Sequence, residues 1–284
     1  VKNKEETEMK QEEIKKAVRD RYAEIAVKER SCCPSASCGG GKSSLERISK
    51  GVGYSPEEIL SAPEGSNLGL GCGNPTALAS LRENEVVVDL GSGAGFDCFL
   101  AAKRVGEGGK VIGVDMTSEM LDKARKNVRE GGYRNVEFRL GEIENLPVAD
   151  ESADVIISNC VINLSPDKKR VFEEAFRILK PGGRLMVSDI VLLSELPEAV
   201  KESIEAYVGC LAGAVMKNEY LGAISEAGFQ DVKIAGETPY PVKDWAAAHP
   251  ESELSRRIGG EKLTVSIASI KVRALKPGPG ARRA

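Results

Sequence analysis

The sequence predicts an α/β chain built on a doubly wound, Rossmann-like parallel sheet. Three observations carry that prediction. Short apolar runs bounded by turn residues recur at VVVDL (86–90), KVIGVDM (110–116), VEFRLG (136–141), ADVIISNC (153–160) and RLMVSDIV (184–191), and most have the continuous apolar character of strands buried on both faces. Helical stretches alternate with them at about 96–105, in TSEMLDKARKNVREGG and in DKKRVFEEAFRILKPGG, which is the strand–helix–strand rhythm of a parallel sheet. A glycine-rich turn, Gly91-Ser92-Gly93-Ala94-Gly95, follows the first strand, where such sheets hold nucleotides.

The elements can be taken in order. Residues 2–30 read as a charged helix, with Ile14, Val18, Tyr22 and Ile25 at helical spacing. SCCPSASCGGGKSS reads as a loop carrying Cys32, Cys33 and Cys38. A short helix follows Pro56, which suits a first helical turn. GSNLGLGCGNPTALASL is a glycine-rich loop with a helix from about Pro75. Thr117 or Ser118 caps the second helix of the alternating core, and Gly131 lies past its end. Beyond residue 195 come a small-residue helical region (198–228), two strands, FQDVKIAGET and LTVSIASIKVRAL, and a tail expected to be disordered at 276–284. The domains expected are 1–80, a helical and Cys-rich extension helping to cover the active site; 81–195, the nucleotide-binding core; and 196–275, cover helices and closing strands.

Composition narrows the function. A net charge of −3 gives no bulk attraction to nucleic acid. No run reaches the roughly 20 apolar residues of a membrane span, and the charged N-terminus lacks a signal core. A cytoplasmic location is therefore expected, where thiols stay reduced. The seven cysteines then read as reactive or metal-binding rather than as a disulfide framework. The single histidine, His249, excludes histidine triads and multi-histidine metal sites unless it serves alone. A zinc site at Cys32, Cys33 and Cys38 lacks a fourth ligand and the usual spacing.

The turn after strand one is flanked by acids: Asp89 just before it, and Asp115 at the end of strand two, 24 residues after Gly91 and suitably placed for ribose hydroxyls. With LGSGAG, VDMTSEML, GEIENLP and ILKPGGRL in this order, residues 80–190 resemble the class I S-adenosylmethionine-dependent methyltransferases. That resemblance implies a seven-stranded sheet closing with an antiparallel hairpin, and S-adenosylmethionine as cofactor. It places Gly91 and Gly93 beneath the cofactor's amino-acid end, Asp115 on the ribose, Met116 against the adenine, and Glu142 or Ile143 at the adenine edge; Asp89, Gly95 and Asn159 join the cofactor set. A nicotinamide oxidoreductase fits less well, because GxGxG lacks the last glycine of the dinucleotide motif.

Cysteines then decide the acceptor. Cys98 sits in the first turn of a helix, where the positive end of the helix is expected to favour a thiolate. Cys160 ends strand four, Cys210 lies in YVGCLAGA, and Cys72 lies in the glycine-rich loop before the sheet. Taken together, NLGLGCGNP, GSGAGFDC, SNCVINLS and YVGCLAGA resemble the arsenite S-adenosylmethionine methyltransferases over residues 64–235. The resemblance implies trivalent arsenic as substrate, bound by Cys160 and Cys210 with Cys98 as a further ligand. It makes Cys98 and Cys72 redox partners, and a reductant such as thioredoxin or glutathione an external partner. Cys32 and Cys33 are then a site of arsenic capture. The chain is shorter at its C-terminus than members with a further extension, so that extension's function is expected to be absent or relocated. Trivalent arsenic is soft and takes thiolate ligands, and its lone pair needs no general base to accept a methyl group. Two rivals are a small-molecule C- or O-methyltransferase and a non-enzymatic arsenical-binding protein.

Overall fold

In the computed structural model, residues 2–28, 42–75, 80–196, 207, 212–240 and 266–280 are described. Cys32, Cys33, Cys38, Cys210, His249 and most of the helix expected from Pro75 lie outside them. Helix α1 spans Lys2–Lys28, α2 Lys42–Gly51 and α3 Pro56–Ser61. Ser55 and Glu58 close α3 with a reciprocal capping box, and Pro56 opens its first turn.

The core then alternates as the apolar runs require: β1 Val86–Leu90, α4 Phe96–Val105, β2 Lys110–Asp115, α5 Ser118–Gly131, β3 Val136–Leu140, β4 Ala153–Asn159, α6 Lys168–Ile178 and β5 Leu179–Leu192. Helix α7 (Lys217–Glu226), β6 (Gln230–Tyr240) and β7 (Ile267–Leu275) complete the described elements. The sheet has seven strands in the order β3-β2-β1-β4-β5-β7-β6. The first five are mutually parallel, and β7 runs antiparallel between β5 and β6. This is the expected seven-stranded sheet with an antiparallel end.

Alternate side chains along each strand feed two cores. Val87, Val111, Val155 and Ile157 pack on one face with α4 and Leu121 of α5. Val88, Leu90, Ile112 and Ile156 pack on the other with α6 and Tyr220 of α7. Strand β5 starts earlier than the expected residue 184. Leu179 already pairs with Ala153, and Lys180–Gly183 bulges out before Arg184 resumes the register opposite Val155. Thr117 is the N-cap of α5, but its side chain makes no capping bond, and the helix includes Gly131 and stops at Gly132 with φ +66°.

One expectation needs correcting. Lys276 belongs to the fold rather than to a disordered tail. Its backbone exchanges hydrogen bonds with Gly182 and Gly183, and its buried ammonium donates to the Phe176 and Leu179 carbonyls.

Candidate functional site

The strand order reverses between β1 and β4, with β2 and β3 on one side and β5 on the other. Ligands of open α/β sheets bind at such a point, beyond the carboxyl ends of the strands. A cleft of ≈ 1160 Å³, counting its open mouth, lies here. Its floor includes Asp89, Gly91, Gly93, Asp115 and Met116, and its far wall Ile143, Glu144, Asn159 and Cys160.

The floor is shaped by backbone bonds. Asp115 accepts the Gly93 N–H at 2.9 Å and the Thr117 N–H at 2.8 Å, so the end of β2 ties the glycine turn to the start of α5. Gly91 holds φ +67°, and a Cβ there would overlap the Val161 side chain. Gly95 departs from the expected cofactor set: it is not part of the cleft lining, and its left-handed turn starts α4 against Phe99 and Phe138. Glu142 also lies off the lining, half-exposed, while its neighbours Ile143 and Glu144 line the wall.

Three residues of α1 that sequence reasoning did not assign to the site, Lys15, Val18 and Tyr22, close the cleft from above. Lys15 pairs with Glu142 at 2.6 Å and with Glu144 at 3.7 Å. Burial alone would lower its pKa, but the Glu142 hydrogen bond and the charge of Glu144 outweigh it and raise the ammonium above its usual value. The helical spacing of Val18 and Tyr22 was the available signal.

At the amino-acid end of the turn, two buried carboxyls face one another. Burial and the charge of Asp97 push Asp89 well above the carboxylate range. Burial raises Asp97 to about 6, against the pull of hydrogen bonds from the Tyr54 hydroxyl and the Asn159 amide. Ser92 Oγ is buried under the turn, where a Cβ on Gly113 of β2 would lie 2.7 Å from it, and it has no hydrogen-bond partner among the described residues.

The cysteines divide differently from expectation. Cys72 and Cys160 are buried and reduced, and their sulfurs and a carboxylate oxygen of Asp189 all lie within 4.8 Å of one another. Cys160 has φ +62°, uncommon for a residue with a side chain, and its N–H donates to the Ser188 carbonyl at 2.8 Å. The Cys72 thiol donates to the same carbonyl at 3.6 Å.

Cys98 is elsewhere. It is fully buried in the core under α4, it is absent from the cleft lining, and its thiol donates to Asp89 at 3.2 Å. The expected thiolate is corrected with it. Burial, then the adjacent Asp89 charge, push the Cys98 thiol well above its usual pKa, overriding the helix end. Cys72 therefore neighbours Cys160 in one cluster, while Cys98 packs in another.

Asp189 completes the thiol corner. It accepts from Asn163 at 2.9 Å, from its neighbour Ile190 N–H at 3.0 Å and from Tyr220 at 3.1 Å. Burial raises it to about 7, although the Ile190 bond, the Lys168 charge and the Tyr220 hydroxyl pull it down. The folded chain holds this proton more tightly than the unfolded one. Its contribution to stability is therefore full near pH 4, falls as pH rises towards 7 and is flat above. The span corresponds to about 4 kcal/mol at most. Asp189→Asn keeps the shape and removes the titration. The variant should come closest to the parent in thermal melts near pH 4 and exceed it most at pH 8; a gap of the same size at both values would refute the assignment.

The comparisons with known proteins agree with this fold. A family described as a methyltransferase domain matches residues 81–228. An arsenite methyltransferase of Halobacterium salinarum is 49% identical over 245 residues, 83% of this chain and 63% of that protein. Those of Aquipseudomonas alcaligenes and Homo sapiens are 42% and 40% identical, over 66% and 56% of this chain. The chain spans 63%, 55% and 44% of the lengths of these three relatives. The crystal structure of an arsenic (III) S-adenosylmethionine methyltransferase from Chlamydomonas reinhardtii superposes with a TM-score of 0.64 at 35% identity, covering 84% of this chain and 75% of that one. A switch-point cleft, a bonded glycine turn and a paired-thiol corner thus occur in a chain that belongs to the methyltransferase-domain family and, within it, to the arsenic (III) S-adenosylmethionine methyltransferases.

Proposed function

We propose that this chain methylates thiol-bound trivalent arsenic, with arsenite as substrate and S-adenosylmethionine as methyl donor. The observation that carries the reading is a pair of reduced sulfurs, Cys160 in the wall of a nucleotide-sized cleft and Cys72 directly behind it.

The residues fit this cofactor. Two buried carboxyls whose pKa values are pushed up, Asp89 and Asp97, suit a ligand that brings its own positive charge, and the left-handed Gly91 and Gly93 keep side chains off the cleft floor. When bound, S-adenosylmethionine supplies the electrophilic methyl group. Asp115 and Met116 would hold its ribose and adenine, and Ile143 the adenine edge; Lys15 and Tyr22 on α1 would exclude water from above.

On the acceptor side, Cys72 and Cys160 supply two of the sulfur ligands, and Cys210 of YVGCLAGA is the third. The thiols lose their protons as arsenic–sulfur bonds replace arsenic–hydroxyl bonds, releasing water. The soft acceptor is then held with its lone pair free for the methyl group, and the site's main contribution is positioning. Cys98 is left out of the ligand and redox sets because it is buried away from both sulfurs. Methyl transfer leaves arsenic two electrons more oxidised. A pair of thiols returns them by forming a disulfide, which an external thiol of the thioredoxin or glutathione kind reduces. Arsenic capture by Cys32 and Cys33, and a cytoplasmic location, belong to the same reading. Among the described residues no helix is long and apolar enough to cross a membrane.

Incubation of the chain with arsenite, S-adenosylmethionine and a dithiol, followed by separation of arsenic species, tests the reading. Methylated arsenic that depends on all three supports it; release of S-adenosylhomocysteine with a quinone-type or other carbon acceptor, and none with arsenite, defeats it.

A further inference from the structure

Asn159 ends β4 beside the thiol corner and bonds in two directions. Its Oδ1 accepts the N–H of Cys72 at 3.0 Å and of Gly73 at 3.2 Å. Its Nδ2 donates to the Gly73 carbonyl at 2.8 Å, to the Tyr54 hydroxyl at 2.8 Å and to Asp97 at 3.1 Å. One amide thus saturates its hydrogen-bonding capacity on a loop 86 and 87 residues away and on the acid pair of the cofactor floor.

The loop is shaped for that amide. A Cβ on Gly71 would stand 2.5 Å from Asn159 Nδ2, and one on Gly73 would overlap Ser188 Oγ. Glycine on both sides of Cys72 lets the backbone lie directly on the amide and on β5. Ser269 Oγ of β7 then donates to the Cys72 carbonyl at 2.9 Å. Cys72 is therefore gripped through its own N–H and C=O, leaving the side chain to meet Cys160.

Resting on the arsenic reading for the purpose of the grip, we infer that Asn159 is a positioning residue for Cys72, one that presents this thiol to Cys160 and links it through Tyr54 and Asp97 to the cofactor floor. It is not primarily a cofactor ligand, although it lines the cleft. Pre-assembly matters because each sulfur that must be ordered during binding weakens capture of the acceptor.

The test uses the full chain and two readouts. Asn159→Ala should raise the arsenite KM by about tenfold or more, the equivalent of one lost hydrogen bond of ordinary strength, and change the S-adenosylmethionine KM by less than about threefold. Alkylation of the ligand-free chain by iodoacetamide, mapped by mass spectrometry, should show Cys72 modified at least about fivefold faster, as a loosened loop exposes it, with Cys98 unchanged. Asn159→Asp keeps the acceptor for the Cys72 and Gly73 N–H groups but loses the donor to the Gly73 carbonyl. It should give Cys72 alkylation between the parent and the alanine variant, and it serves where the alanine variant does not fold. An equal rise in both KM values, or unchanged Cys72 alkylation in a folded alanine variant, overturns the inference. A parent chain that methylates no arsenite would defeat the arsenic reading, while the alkylation readout would still decide the grip.

Discussion

Replacing Cys160 by serine is expected to lower arsenite methylation by more than about 100-fold while S-adenosylmethionine binding stays within about twofold. Oxygen is a hard ligand and a poor substitute for sulfur on trivalent arsenic. The substitution disturbs little else. Cys160 is held by its backbone N–H to the Ser188 carbonyl, and serine accepts the same left-handed backbone no worse than cysteine. Cys72→Ser should behave alike, since its thiol occupies the same corner. Cys98→Ser is the contrasting variant. Its hydroxyl can keep the bond to Asp89, and methylation should stay within about threefold of the parent because no reacting atom is near. Separation of arsenic species after a fixed incubation reads all three variants, and equilibrium dialysis with S-adenosylmethionine reads the cofactor. Full methylation by Cys160→Ser, or a loss in Cys98→Ser equal to that in Cys160→Ser, would overturn the assignment.

Gly91→Ala should destabilise the chain by about 3 kcal/mol, the combined cost of a left-handed alanine and an overpacked contact. The φ of +67° is one component. The other is steric: the new methyl would meet the Val161 side chain, with Val161 Cβ only 2.6 Å away. Val161 follows Cys160, so the methyl group would press the cofactor turn against the thiol wall. Both ligands should therefore bind more weakly in the folded variant. Adding Val161→Ala should recover the packing component, about half of the loss, and leave the backbone component. Urea denaturation of the parent, the single and the double variant separates the two. No recovery in the double variant would show that contact with Val161 is not the cause.

The sheet was legible because strands buried on both faces are written as unbroken apolar runs, and the acid at the end of β2 marked the cleft floor. Closeness in sequence to the glycine turn does not bring Cys98 into the cleft lining. The correcting signal was present: Cys98, Ala101, Ala102 and Val105 repeat at helical spacing and face the sheet together. Nothing comparable announced Asn159. Its partners lie far away in the chain, and a polar residue at a strand end looks the same whether it holds a ligand or a loop. Lys15 was hidden for a related reason, since one cation on a highly charged helix carries no mark of the two acids it meets across the cleft.

The placement of β7 has a consequence for the order in which the molecule is made. This strand is the last of the sheet in sequence, yet it lies between β5 and β6, and its Ser269 holds the Cys72 carbonyl across 197 residues. The parallel strands β1 to β4 can pair as soon as they leave the ribosome, so the nucleotide half of the sheet has its partners early. The grip on Cys72 waits for the final strand to insert, the slowest kind of contact to close. A nascent chain therefore has the strand partners of its nucleotide floor before the bond from Ser269 to Cys72 can form.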